Sequence, residues 1–183
     1  MTATAGALAG MLVCAREPHA DSRGSFDVLS NLEELAALGV RSDFWQENLI
    51  KTRRGVLRGL HYQSRRPQGK LLTVLSGEIY DAAVDLRPDS PTYGRSTGRI
   101  LRAADHLSLW LPPGLAHGFL ARSEEVIFCY KVSAAWDPGE AHVLAWDDPE
   151  AAIAWPLAAG EVPILSDRDR AGRSLAVIRA GLR

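Results

Sequence analysis

Between residues 70 and 132 the chain is a succession of short apolar runs, broken at fairly even intervals by glycine and proline. Runs of that length and punctuation read as strands, and strands at short spacing pair into antiparallel sheets. The pattern predicts strands over 70–75 and 79–86, joined through Ser76-Gly77-Glu78 as a hairpin or close meander. A further strand spans 107–111 up to the Pro112-Pro113-Gly114 turn, a long β-rich stretch covers 118–132, and a first strand falls near 11–15. Only residues 30–39 carry clear helix signals. Ser30 is placed as N-cap, Glu33 follows three residues on as in a capping box, Gly39 ends the helix, and Leu32, Leu35 and Leu38 share one face. The reading is therefore all-β, a sandwich or barrel with a few short peripheral helices.

At 183 residues the chain suits one domain, 1–183, with residues 1–10 expected as a flexible lead-in and 170–183 as a peripheral tail. A chain of this size hides roughly 70% of the surface its unfolded form exposes. The formal net charge is −1, which excludes nucleic acid or anionic lipid as the main partner and confines any phosphate recognition to a few placed cations. Cys14 and Cys129 are too few for a disulfide framework and read as buried or semi-buried thiols of a cytoplasmic protein. No Lys or Arg precedes Arg16, so the opening lacks the charged start of an export signal, and no apolar run approaches membrane-spanning length.

Two segments carry the chemistry. The run Gly55-Val56-Leu57-Arg58-Gly59-Leu60-His61-Tyr62-Gln63 interrupts an apolar strand with Arg58 and His61; Leu111-Pro112-Pro113-Gly114-Leu115-Ala116-His117-Gly118-Phe119 lands His117 at the start of a strand after a turn. Together they resemble the paired motifs of the cupin superfamily, which implies a double-stranded β-helix (jelly-roll) barrel. Metal-binding cupins carry His-x-His and an acidic ligand in the first motif. Here Gln63 replaces the second histidine, and Pro67 and Gln68 stand near the place of the acid. Two imidazoles are a poor site for a divalent transition metal, so a metal-free pocket is expected.

Proton transfer beside a carbonyl needs a base, an acid and a group to hold the enolate oxygen. His61 has the intrinsic pKa of a base near neutrality, Lys70 can supply the cation, Tyr130 the acid, and either Asp167 or Asp169 the carboxylate behind the base. His19, His106 and His142 belong to no motif and read as surface residues; Asp81 reads as polar support within the barrel.

The run from Gly55 to Gln63 resembles the hallmark of the dTDP-4-dehydrorhamnose 3,5-epimerase family. The match continues, in order, through Gln68-Gly69-Lys70-Leu71, the stretch from Asp81 to Arg87 with Ser90-Pro91-Thr92, the segment from Leu111 to Phe119, Tyr130-Lys131, Trp155-Pro156 and Leu165-Ser166-Asp167-Arg168-Asp169. The resemblance implies His61 as base in a dyad with Asp169, Tyr130 as acid on the opposite face, and Lys70 holding the enolate. It also implies Arg23 and Phe26 as binding positions contributed across a homodimer, and Gln46, Glu47, Asn48, Arg58 and His117 at the nucleotide sugar and its diphosphate. Trp136 falls where the family places a large aromatic, against the base or the sugar. The implied substrate is a dTDP-linked 4-keto-6-deoxyhexose inverted at C3 and C5, without a cofactor because no electrons change hands. Val28, Ala141 and Arg168 depart from the family's glutamate, acidic residue and lysine, which leaves open a monofunctional 3- or 5-epimerase of another deoxysugar pathway. The same residues also admit a metal-dependent cupin enzyme working through His61 and His117, or a non-catalytic sugar-binding cupin.

Overall fold

A computed structural model describes residues 1–40 and 43–181. In chain order the strands are β1 (Thr2–Ala5), β2 (Leu12–Ala15), β3 (His19–Asp21), β4 (Gly24–Phe26), β5 (Gln46–Arg53), β6 (Leu57–Gln63), β7 (Lys70–Ser76), β8 (Glu78–Asp85), β9 (Ser96–Arg102), β10 (Leu107–Leu111), β11 (Leu115–Ala121), β12 (Glu125–Val132) and β13 (Ala141–Val143). The helices are α1 (Leu32–Ala37), α2 (Asp167–Arg170) and α3 (Leu175–Gly181). One sheet has the order β1-β2-β10-β7-β12-β5, a second β13-β6-β11-β8-β9, and β3 with β4 forms a separate two-stranded ribbon. From β5 onward nearly every connection carries the chain from one main sheet to the other, which is the winding of a double-stranded β-helix.

Alternation along each strand decides what faces the space between the sheets. Leu72 and Val74 of β7, Leu109 and Leu111 of β10, Phe119 of β11, and Val126 and Phe128 of β12 form one buried core. Phe119 and Phe128 meet edge to face at 4.6 Å between ring centres. Outside the six-stranded sheet, α1 lays Leu35 on Leu71 and Trp110. Outside the five-stranded sheet, Leu175 and Ile178 of α3 pack on Leu60, Val84, Ala116 and Leu144.

Several expectations change. Residues 70–75 and 79–86 are strands but not a hairpin: β7 and β8 lie in different sheets, and Gly77, at φ +78°, turns the corner between them. The stretch 118–132 is likewise two strands of opposite sheets. Asn31, not Ser30, caps α1, its side chain accepting from the Glu33 and Glu34 amides, so Glu33 closes no capping box. The opening residues are no loose lead-in, since β1 pairs with β2 along its length. Nor is the tail peripheral, because Leu175 is fully buried.

Candidate active site

The buried interior turns polar toward one end. Moving along β7 toward its start, Val74 and Leu72 give way to Lys70; along β12, Val126 and Phe128 give way to Tyr130; on β8, Ile79 gives way to Asp81. A pocket opens there, lined from the five-stranded sheet by His61, Tyr62 and Gln63 and from the six-stranded sheet by Lys70 and Tyr130. Pro67, Gln68, Trp136 and Arg168 close its rim.

Arg58 and His61 owe their common orientation to a bulge. Three residues apart, they would point to opposite faces of a regular strand. The ladder pairs His61 with His117 and Arg58 with Phe119, so three steps on β6 match two on β11, and both side chains follow the inward face of β11. Gly59 makes this possible: its φ is +116°, and a Cβ there would lie 2.6 Å from Gly118 Cα and from the His117 carbonyl oxygen.

His61 Nε2 lies 2.5 Å from Asp169 Oδ1; the imidazole side chain is 40% exposed and the carboxylate 5%. The end of the chain delivers that carboxylate. Ile164 bridges to Val56 beside β6, then Ser166 caps α2, accepting from the Asp169 amide and donating to Asp169 Oδ2. Burial by itself would push the Asp169 carboxyl up, but hydrogen bonds from His61, Ser166 and the Gly59 amide outweigh it and leave the group below its ordinary value. An ionised carboxylate only accepts, so Nε2 carries the proton and Nδ1 is the basic nitrogen. Asp167 stays on the surface, which resolves the choice of carboxylate by position.

Lys70 Nζ donates to the His61 carbonyl at 3.4 Å, and burial lowers its pKa to about 8 against the opposing pull of Asp81. Burial also raises the Tyr130 phenol, with a smaller opposing effect from Arg58, so the phenol holds its proton across the neutral range. His117 is buried behind the pocket rather than on its wall, with Nε2 2.7 Å from Asp81 Oδ2. Burial drives its pKa down despite that carboxylate, so the ring is neutral near pH 7. In the sequence Asp81 reads only as generic support; its tie to His117 arises from the pairing of β8 with β11, and its pull on Lys70 from the facing of the two sheets, neither of which a local pattern announces.

Asn48 sits opposite Tyr130 in the β5–β12 ladder and accepts from the Gln46 side chain, so both stand beside the phenol with Arg58 near by. The Glu47 side chain points to the other face of β5, where it pairs with Lys131 at 3.1 Å. Arg23 and Phe26 do not reach this pocket. They sit on the β3–β4 ribbon, where Arg23 forks onto Asp21 and Phe26 is 68% exposed. Trp136 and Arg168 do line the pocket, and Arg168 donates to the Ala141 carbonyl. His106 and His142 are not free surface groups: His106 approaches Asp27 at 3.4 Å, and His142 packs on Tyr62. Among the described residues no three His, Cys, Asp or Glu side chains are grouped to hold a metal ion. Both cysteines are free and buried.

A jelly-roll barrel with a histidine, a lysine and a tyrosine converging in one pocket defines a cupin-type fold equipped for acid–base chemistry. The sequence profile of the dTDP-4-dehydrorhamnose 3,5-epimerases matches residues 5–176. The chain is 41% identical to the dTDP-4-dehydrorhamnose 3,5-epimerase of Pseudomonas aeruginosa over 177 residues, 96% of this chain and 97% of that one. It is 40% identical to the dTDP-4-dehydrorhamnose 3-epimerase of Streptomyces niveus over 169 residues, 91% of this chain and 80% of that one. The crystal structure of the dTDP-6-deoxy-D-glucose-3,5-epimerase from Legionella pneumophila, in complex with dTDP-4-keto-L-rhamnose, superposes with a TM-score of 0.93 at 37% identity, covering 99% of this chain and 96% of the other. The chain belongs to the dTDP-4-dehydrorhamnose 3,5-epimerase family.

Proposed function

We propose that the protein inverts C3 and C5 of dTDP-4-dehydro-6-deoxy-D-glucose to give dTDP-4-dehydro-L-rhamnose. The observation that carries the reading is the opposition of His61, backed by Asp169, and Tyr130 across one pocket that also holds Lys70. The C4 ketone acidifies the hydrogens on both C3 and C5. His61 Nδ1 takes one of them, the C–H electron pair moves onto the C4 oxygen, and the Lys70 ammonium holds the resulting enolate. Tyr130 returns a proton to the opposite face of the same carbon, and the electron pair moves back from oxygen. Each inversion leaves His61 protonated and Tyr130 as phenolate; the imidazolium gives its proton to solvent and the phenolate takes one back, so the same base and acid then serve the second centre, and no oxidant or cofactor enters the balance.

Gln46, Asn48 and Arg58 are assigned to the nucleotide and its diphosphate, which amide donors and a forked guanidinium suit. Arg23 and Phe26 are assigned to the pocket of a partner subunit in a two-fold homodimer. Their distance from their own pocket supports this, and so does the exposure of Leu49 and Leu75 on the outward face of the six-stranded sheet. The same reading makes the enzyme cytoplasmic; no described helix is long and apolar enough to cross a membrane.

Deuterium wash-in tests the proposal. The substrate is incubated with protein in heavy water, and C3 and C5 are followed by NMR. Exchange at both carbons is expected; exchange at one alone would reassign the chain as a monofunctional epimerase, and exchange at neither would remove the proposal.

A further inference from the structure

Asp85 ends β8 on the inward face that it shares with Ile79, Asp81 and Ala83, and the proton-transfer chemistry makes no use of it. It is 0% exposed. A carboxylate so placed is costly unless donors surround it, and Asp85 draws them from the seven residues that follow. The Arg87 amide and Nε donate to Oδ1 at 3.0 and 2.8 Å; Arg87 Nη2, Ser90 Oγ and Thr92 Oγ1 donate to Oδ2. Burial alone would raise the carboxyl, but these bonds hold it down at about 2, so the group is charged wherever the protein works.

The network reaches across the barrel mouth to the β1–β2 connection, residues 6–11. Thr92 gives its hydroxyl proton to Asp85, which leaves its lone pairs for the Ala9 amide at 3.0 Å. Arg87 Nη2 donates to the Ala9 carbonyl at 2.7 Å. Both polar groups of Ala9 therefore answer to one carboxylate. The residue before it, Leu8, is 2% exposed and belongs to the core that contains Leu111 and Leu115. Leu111 is the ladder partner of Lys70, and Leu115 lines the pocket. Gly114, also on the pocket wall, rests on the arginine stem: a Cβ there would lie 2.4 Å from Arg87 Cγ. Leu8 thus closes the side of the barrel mouth that the pocket leaves.

We infer that Asp85 is a positioning residue which, through Arg87 and Thr92, seats Leu8 as a plug in the barrel mouth and so keeps water from Lys70. A shielded ammonium holds a developing enolate more strongly than a hydrated one, which is what the plug contributes to the reaction proposed above. The plug itself is measured without substrate. The sign of the effect separates it from simple electrostatics. Removing a nearby negative charge would lower the pKa of an ammonium, whereas admitting water would raise it from about 8 toward its ordinary 10.5. The titratable groups around Lys70 are His61 on β6, Asp81 on β8, His117 on β11 and Tyr130 on β12, and each stays in place in the variants below.

Lysine occurs at positions 51, 70 and 131, so protein labelled with ¹³C at lysine Cε gives three signals, with Lys70 assigned by Lys70→Arg. In Asp85→Asn the titration midpoint of Lys70 is expected to rise by about one pH unit while Lys51 and Lys131 hold. Should that variant not fold, Thr92→Val decides the matter, since it keeps the size of the side chain and removes the acceptor of the Ala9 amide. A midpoint that stays or falls overturns the inference. Leu8→Ala, which leaves the carboxylate network whole, should raise the midpoint by itself, and adding Asp85→Asn to it should raise it no further. An equal rise in both backgrounds shows that Asp85 does not act through Leu8 and also overturns the inference. With substrate present, the alkaline limb of deuterium exchange should move up together with the midpoint. If the wild-type protein exchanges no deuterium into the sugar, the epimerase reading fails, and the lysine titration still decides the plug.

Discussion

His61 and Asp169 are separated by 108 residues, yet their 2.5 Å contact fixes which ring nitrogen is free to act. Asparagine at 169 would keep the shape but let an NH₂ face the ring, reversing the tautomer and turning the basic nitrogen away. Asp169→Asn is therefore expected to slow wash-in by roughly 10²–10⁴-fold, comparable to His61→Ala, because each removes one competent proton-transfer group. An asparagine variant within about threefold of wild type would show that the carboxylate does not govern the base. Lys70 sets the alkaline side. Its pKa is lowered to about 8, whereas burial raises Tyr130, so on raising the pH the lysine discharges first. Exchange should fall as pH climbs through about 8, and Lys70→Arg, whose guanidinium keeps its charge, should move that limb upward whatever it does to the maximal rate. Stability follows the opposite course. The unfolded chain holds the lysine proton up to its ordinary value of 10.5, so between about 8 and 10.5 it binds more protons than the native state. Native stability gains from this group as pH rises through that window. Urea midpoints across the window should show the gain in wild type and lose it in Lys70→Met.

At the scale of elements, the bulge in β6 matters most to the pocket. Gly59→Ala places a methyl group 2.6 Å from the backbone of β11 at a φ of +116°, with no flexible neighbour to give way. The expected loss is roughly 2–4 kcal/mol of stability, read as a lowered melting temperature. Relieving the clash by regularising the strand would send Arg58 and His61 to opposite faces and disturb the setting of His61 in the pocket, so exchange should fall in the folded fraction as well. A variant that melts and exchanges like wild type would mean the bulge is dispensable. The glycine is visible in the sequence, and so is the oddity of Arg58 and His61 within one apolar strand. What no local pattern shows is that the odd spacing is cancelled by an extra residue, since that depends on where β11 pairs. The same limit explains the misread corner at Gly77: apolar runs mark where strands end, but a tight turn between two of them serves a hairpin and a change of sheet alike. The role of Asp81 is hidden for this reason, its partner His117 being supplied by the neighbouring strand of the sheet. His61, Tyr130 and Lys70, to which the proposed reaction gives the roles of base, acid and enolate cation, are legible because family motifs carry them. That the Glu47 side chain turns to Lys131, away from Asn48, is not legible there, because a motif gives sequence neighbours, whereas alternation sends each neighbour to the opposite face.

At the scale of the whole molecule, the barrel has an apolar interior at one end and a polar pocket at the other, and the ribbon stands apart from both. The β3–β4 ribbon, with Arg23 and Phe26, belongs to neither main sheet and shares no lining residue with the pocket of its own chain. Its base is nonetheless held firmly. Directly after β4, Asp27 receives the buried Arg16 guanidinium at 3.1 Å, and Arg16 reaches Ser108 of β10. A ribbon anchored at its root, with an exposed phenylalanine and a guanidinium that pairs, among the described residues, with Asp21, suits the cross-subunit role proposed above. A two-fold partner is the simplest target for it, because symmetry lets each ribbon serve the other's pocket. The consequence is measurable by complementation. Arg23→Ala keeps its own base but supplies a defective ribbon; His61→Ala supplies a sound ribbon but has no base. Each homodimer should exchange poorly. In a mixed dimer, the protomer with an intact base receives the intact ribbon, and one site of the pair is restored. Random re-pairing makes half the dimers mixed, so activity should recover to about a quarter of that of wild type at equal total protein. If each ribbon folds back onto its own pocket, every protomer in the mixture carries one lesion, and no recovery on re-pairing would refute the exchange of ribbons.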